Sequence, residues 1–142
     1  MLKKLISLLF VALFLFLSLG LCAFAADLET PAENDVEIVD YETIGGYSLS
    51  LTSLNKKANI AIRVYGNNSQ FRSGTLKLFK YEKGVWTAVK TWTNLSSLTN
   101  TFMFTDNSVA VQSGTKYKIK IAITAYTGNK SEKIVLDMTK EL

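Results

Sequence analysis

From residue 47 onward the apolar residues recur mostly at every second position, and that period belongs to half-buried strands rather than helices. The clearest run places Ala58, Ile60, Ile62 and Val64 on one face. A longer one places Tyr117, Ile119, Ile121, Ile123 and Ala125 on one face. β-branched and aromatic residues fill these runs, and Gly, Asn and Ser separate them. Seven strands are predicted, over 47–54, 58–65, 75–81, 85–92, 101–105, 116–126 and 132–137. Strands repeating every 8–12 residues or so, with turn signals between them, describe an all-β sandwich or barrel.

Ahead of this domain the chain reads as an export signal. Lys3 and Lys4 precede an apolar run over 5–21, and Ala23-Phe24-Ala25 offers a small–x–small site, so cleavage is expected after Ala25. The alternative is an uncut anchor, which is the one membrane association the sequence offers. Leu21 before Cys22 does not make a lipobox, and Lys140-Glu141-Leu142 carries no wall-sorting pattern. The expected product is secreted. Cys22, the single cysteine, leaves with the signal, and the chain has no histidine. That excludes Cys nucleophiles, His acid–base chemistry, Cys/His zinc sites and a disulfide framework.

Charge divides the remainder. Residues 27–42 hold seven acids and no base, whereas residues 43–142 hold 14 bases against five acids. The division reads as an acidic flexible leader over 26–45, with Pro31 inside it and Gly45-Gly46 closing it. The β-domain follows over 46–142. The leader is either a solvating tail or a shield over a basic face.

Two local patterns sharpen the fold. In the hairpin 80–86 the loop is either Lys83-Gly84 or Glu82-Lys83-Gly84. The shorter loop sets Trp86 beside Tyr81 and Phe79, the longer beside Lys80 and Leu78. In 111–121, Tyr117 opens a long strand after a glycine-containing corner, with Val111 six positions earlier. This is the pattern of a structural tyrosine corner, whose phenol bonds upstream backbone.

The stretch from Val111 to Ile121 is similar to the fibronectin type III corner Leu-x-Pro-Gly-Thr-x-Tyr-x-Val-x-Val, with Val111 for the leucine and Ser113 for the proline. Gly128 to Glu132 resembles the hairpin that follows in that family. The resemblance implies a seven-stranded antiparallel Greek-key β-sandwich, immunoglobulin-like and fibronectin type III-like. The second strand lacks that family's tryptophan, and no Arg-Gly-Asp occurs, so an integrin role is not implied. The whole chain also resembles small secreted single-domain proteins of Gram-positive bacteria with a Lys-x-Gly-x-Trp-Thr-x-Val-Lys-x-Trp hairpin. Here that hairpin is Lys83, Gly84, Trp86, Thr87, Val89, Lys90 and Trp92. This second resemblance implies secretion and fold, and no chemistry.

No enzyme is expected. Glu82, Asp106, Glu132, Asp137 and Glu141 are scattered, no serine lies in a nucleophile elbow, and a Ser–Lys dyad is only a formal alternative. Asp106-Asn107-Ser108 reads as a turn rather than a calcium loop, so no metal and no cofactor are expected. The expectation is a non-catalytic binding module of the cell surface or extracellular space. Tyr81, Trp86 and Trp92 are candidates for stacking on cell-wall polysaccharide. Lys116, Lys118 and Lys120 alternate on one strand and are candidates for an anionic polymer, with Lys77, Lys80, Lys83 and Lys90 adding charge. A surface protein or a second copy pairing through an edge strand is the third kind of partner. Nucleic acid is not expected.

Overall fold

In the computed structural model, which describes residues 41–142, seven antiparallel strands follow one another. They are β1 (Ile44–Leu54), β2 (Lys57–Gly66), β3 (Gln70–Glu82), β4 (Val85–Ser97), β5 (Thr101–Asp106), β6 (Lys116–Thr127) and β7 (Lys130–Glu141). Two sheets result, one ordered β1-β2-β5 and the other β4-β3-β6-β7. All seven expected strands are present. The main extensions are at the starts of β1 and β3, the end of β4 and both ends of β7. The export signal, its cleavage position and the leader up to residue 40 lie outside the described residues.

The period-two pattern decides which side chains are buried. Ala58, Ile60, Ile62 and Val64 of β2 face inward, opposite Leu76 and Leu78 of β3 and Tyr117, Ile119, Ile121, Ile123 and Ala125 of β6. Burying each large aliphatic side chain contributes about 1.5–3 kcal/mol. Three hairpins have two-residue loops. Asn55-Lys56 has φ of 54° and 59°, and Lys83-Gly84 has 52° and 85°, the arrangement of type I′ turns. Gly128, at 58°, opens the loop between β6 and β7.

Two bulges break the alternation. On β4, Leu78 pairs with Lys90 but Phe79 pairs with Ala88, so Val89 is an extra residue. On β3, Arg72 pairs with Thr124 and Thr75 with Ala122, so β3 again carries one residue too many, with Ser73 at φ 56°. Beside it Gly74 lets β4 approach closely. A Cβ at Gly74 would lie 2.9 Å from the Leu95 carbonyl oxygen.

Residues 41–44 are tied down by side chains. The Tyr41 hydroxyl donates to the Val135 carbonyl (2.8 Å) and accepts the Val135 N–H (3.0 Å). It therefore covers part of the outer edge of β7. Thr43 donates from its backbone and its hydroxyl to Glu132 Oε2, at 3.0 and 2.6 Å. The Thr43 hydroxyl and then its N–H hold the Glu132 carboxyl below its ordinary range, against a smaller upward push from burial. Ser69, 1% exposed, donates to the Thr43 carbonyl at 2.7 Å and meets the Thr127 hydroxyl. This network joins the start of β1 to the β6–β7 turn.

Candidate binding face

The two-residue Lys83-Gly84 loop sets the register of the first hairpin, with Tyr81 opposite Trp86 and Phe79 opposite Ala88. On the other side of β3, Phe79 pairs with Lys118 and Lys77 with Lys120. Ile119 and Ile121 point into the core, so these neighbours point out. The outer face of the four-stranded sheet thus gathers Phe79, Tyr81 and Trp86 with Lys77, Lys116, Lys118 and Lys120.

Lys118 is central to this face and only 9% exposed. Its Nζ lies 4.9 Å from the Trp86 ring centre and 5.4 Å from that of Phe79. The ammonium meets the negative faces of the rings while the aliphatic stem covers them. Phe79 is 1% and Trp86 6% exposed, and Tyr81 packs on Trp86 with ring centres 5.0 Å apart. Lys116 is exposed, whereas Lys77 and Lys120 are half-buried. Arg72 and Lys133 lie on the same face by register, as do Asp137 opposite Lys120 and Glu141 opposite Lys116. The face therefore carries six basic residues against two acidic ones.

The other lysines go elsewhere. Lys80 pairs in register with inward-facing Tyr117 and forms an ion pair with Glu82 at 3.4 Å. Lys83 occupies the turn. The Val89 bulge sends Lys90 and Trp92 to the opposite side of the sheet from Trp86, so the three candidate stacking rings do not share one face. Trp92 packs edge-on against Phe104 of β5 at 5.4 Å, and its indole N–H donates to Asp106 Oδ2 at 3.0 Å.

Asp106 collects four donors. Ser108 gives its N–H and its hydroxyl to Oδ1, both at 2.7 Å. Trp92 and Lys90 give theirs to Oδ2, the latter at 3.3 Å. Burial pushes the carboxyl up, but the Ser108 N–H and hydroxyl, the Lys90 ammonium and the indole outweigh it and hold it at about 2. The Ser108 N–H closes a turn on the carboxylate, as expected for this segment. Lys90 also donates to the Ser108 hydroxyl at 3.0 Å. That serine hydroxyl thus donates to Asp106 while accepting from Lys90. Among the described residues no three Cys, Asp or Glu side chains gather as metal ligands would.

Tyr117, 2% exposed, accepts the Gln112 N–H on its hydroxyl at 2.9 Å, linking the 107–115 crossover to β6. Of the four hairpin lysines expected to add charge, only Lys77 shares the face of Lys118, and sequence reasoning missed two contributors: Phe79 as the ring beneath Lys118 and Asp106 as the acceptor for Trp92. Phe79 meets Lys118 through the register between β3 and β6, for which the sequence carries no local signal. Comparison with protein-family models, with curated proteins and with solved structures finds no match for this chain.

Proposed function

We propose that the chain is a secreted, non-catalytic binding module that holds an anionic polymer of the cell envelope on the outer face of its four-stranded sheet. The observation that carries this reading is the gathering of Lys77, Lys116, Lys118 and Lys120 on one face, with Arg72 and Lys133 beyond them. A basic surface also steers an anionic polymer toward itself over about a Debye length. The signal-like sequence over 1–25 supports export. The three-plus-four strand order, with β3 beside β6, and the Tyr117–Gln112 bond support a fibronectin type III-like, immunoglobulin-like Greek-key organisation.

Glycan stacking is the second reading, and the half-exposed Tyr81 is what favours it. Trp86 lies beneath Lys118 and Trp92 faces the other way, which leaves a small stacking surface.

Sedimentation of the protein with purified cell-wall sacculi, with and without teichoic acid, separates the two. The polymer reading expects binding that needs teichoic acid, falls away in 1 M salt (where the Debye length is about 3 Å), and weakens in a Lys77→Gln/Lys116→Gln/Lys120→Gln variant. Salt-resistant binding to stripped glycan would favour Tyr81. Absence of binding to either would point to a protein partner.

A further inference from the structure

We infer that the acidic stretch ahead of Tyr41 is itself a ligand of the lysine–aromatic face, so that the chain carries a tethered competitor for the polymer. The competition rests on the reading just proposed; the docking does not. Two observations point to this occupant. Charge is the first: residues 27–42 carry seven acids and no base, and they precede a domain with nine more bases than acids. Position is the second. The Tyr41 hydroxyl is held by Val135 on the open edge of β7, so the acidic stretch reaches the domain at the border of this face.

Reach and composition fit. From β7 to β4 is three strand spacings, about 14 Å. About five residues of extended chain cross that distance at roughly 3.3 Å each. The residues before Tyr41 read Asp35-Val36-Glu37-Ile38-Val39-Asp40. Their carboxylates match the lysines by charge. A short tether holds such a segment at about millimolar effective concentration. A polymer must therefore outcompete it.

Carbodiimide cross-linking of the exported chain tests the docking with no polymer present. Isotope-labelled and unlabelled chains are mixed so that links within and between copies are told apart. The exposed pair Glu42 and Lys130, 4.0 Å apart, serves as the internal control. Docking expects links within one chain from Asp35, Glu37 or Asp40 to Lys77, Lys116 or Lys120. An Asp35→Asn/Glu37→Gln/Asp40→Asn variant, which has no carboxyls there to activate, assigns the links to those side chains if it keeps only Glu42–Lys130. Links between copies would assign the face to a second molecule and overturn the inference. Leader links spread equally to Lys56, Lys57 and Lys140 would overturn it as well, as would control links alone. With docking in place, the same variant is expected to bind teichoic acid more tightly, about tenfold where the leader's own docking Kd is about 0.1 mM against a tether of about 1 mM. Failure of the wild type and the variant alike to bind polymer would refute the polymer reading and leave the docking standing.

Discussion

Asp106→Asn is the most informative single substitution, because the side chains are nearly isosteric and the environment is one-sided. All four groups around the carboxylate are donors: two from Ser108 on one oxygen, Trp92 and Lys90 on the other. Asparagine has one acceptor oxygen. Either orientation of its amide turns an NH2 toward two donors. The difference between a native carboxyl at about 2 and an ordinary 3.8 corresponds to about 2 kcal/mol by linkage. Solvent trims that figure somewhat, since the side chain remains 16% exposed. Adding the donor–donor conflict, the loss should be about 2–3 kcal/mol at neutral pH. For a domain of this size that lowers Tm by about 10–20 °C. The sign of the pH dependence is fixed. A depressed carboxylate contributes fully above its unfolded value, and the contribution fades as pH falls from about 3.8 toward 2. Urea unfolding at pH 7 and at pH 2 is the assay, and the gap between wild type and variant should narrow in acid. A gap below about 0.5 kcal/mol at pH 7, within ordinary surface scatter, would refute the reasoning. So would a gap of equal size at pH 2.

Gly74→Ala should destabilise by about 1–3 kcal/mol in urea, because its Cβ would meet the Leu95 oxygen at 2.9 Å and Ile123 Cδ1 at 3.0 Å. Unchanged stability would mean that β4 shifts freely. Lys118→Gln should lose about 1–2 kcal/mol from its two ring contacts. Lys116→Gln, at an exposed position, should stay within about 0.5 kcal/mol. Equal effects of the two would argue against a packed Lys118. Tyr117→Phe removes the acceptor of the Gln112 N–H. Gln112 is exposed, so water offsets part of the loss, which should be about 1 kcal/mol. Faster amide exchange at Gln112 should accompany it.

The strands were legible because period two is a direct print of which face is wet. β2 alternates without interruption and its buried set matches the expected one; on β6 the expected apolar set is buried, and Lys118 of the outer face is buried as well. The bulges were not legible. Trp86, Ala88, Lys90 and Trp92 alternate as if on one face, and nothing in Val89 announces an extra residue. A β-branched residue suits a regular strand as well as a bulge. Asn94, at φ 57°, was a weaker clue to irregularity late in β4, since asparagine tolerates that conformation. The hairpin loop left two registers open in the sequence, and the cross-strand pairing of Tyr81 with Trp86 settles them. The lysine row could be placed on one strand by counting alone. Its union with Lys77 and the rings of β3 and β4 depended on long-range register. The bonds of Tyr41 and Thr43 to β7 likewise join residues about 90 positions apart, beyond the reach of local pattern.

The central claim is that the outer face of the β4-β3-β6-β7 sheet receives an anionic polymer. Amide NMR of the exported chain during titration with a teichoic-type poly(glycerol phosphate) addresses it most directly. The account predicts shifts concentrated at Lys77, Phe79, Lys118 and Lys120 on β3 and β6, with the perturbation collapsing at high salt. Shifts centred on the β1-β2-β5 sheet, or a response that salt leaves unchanged, would contradict it.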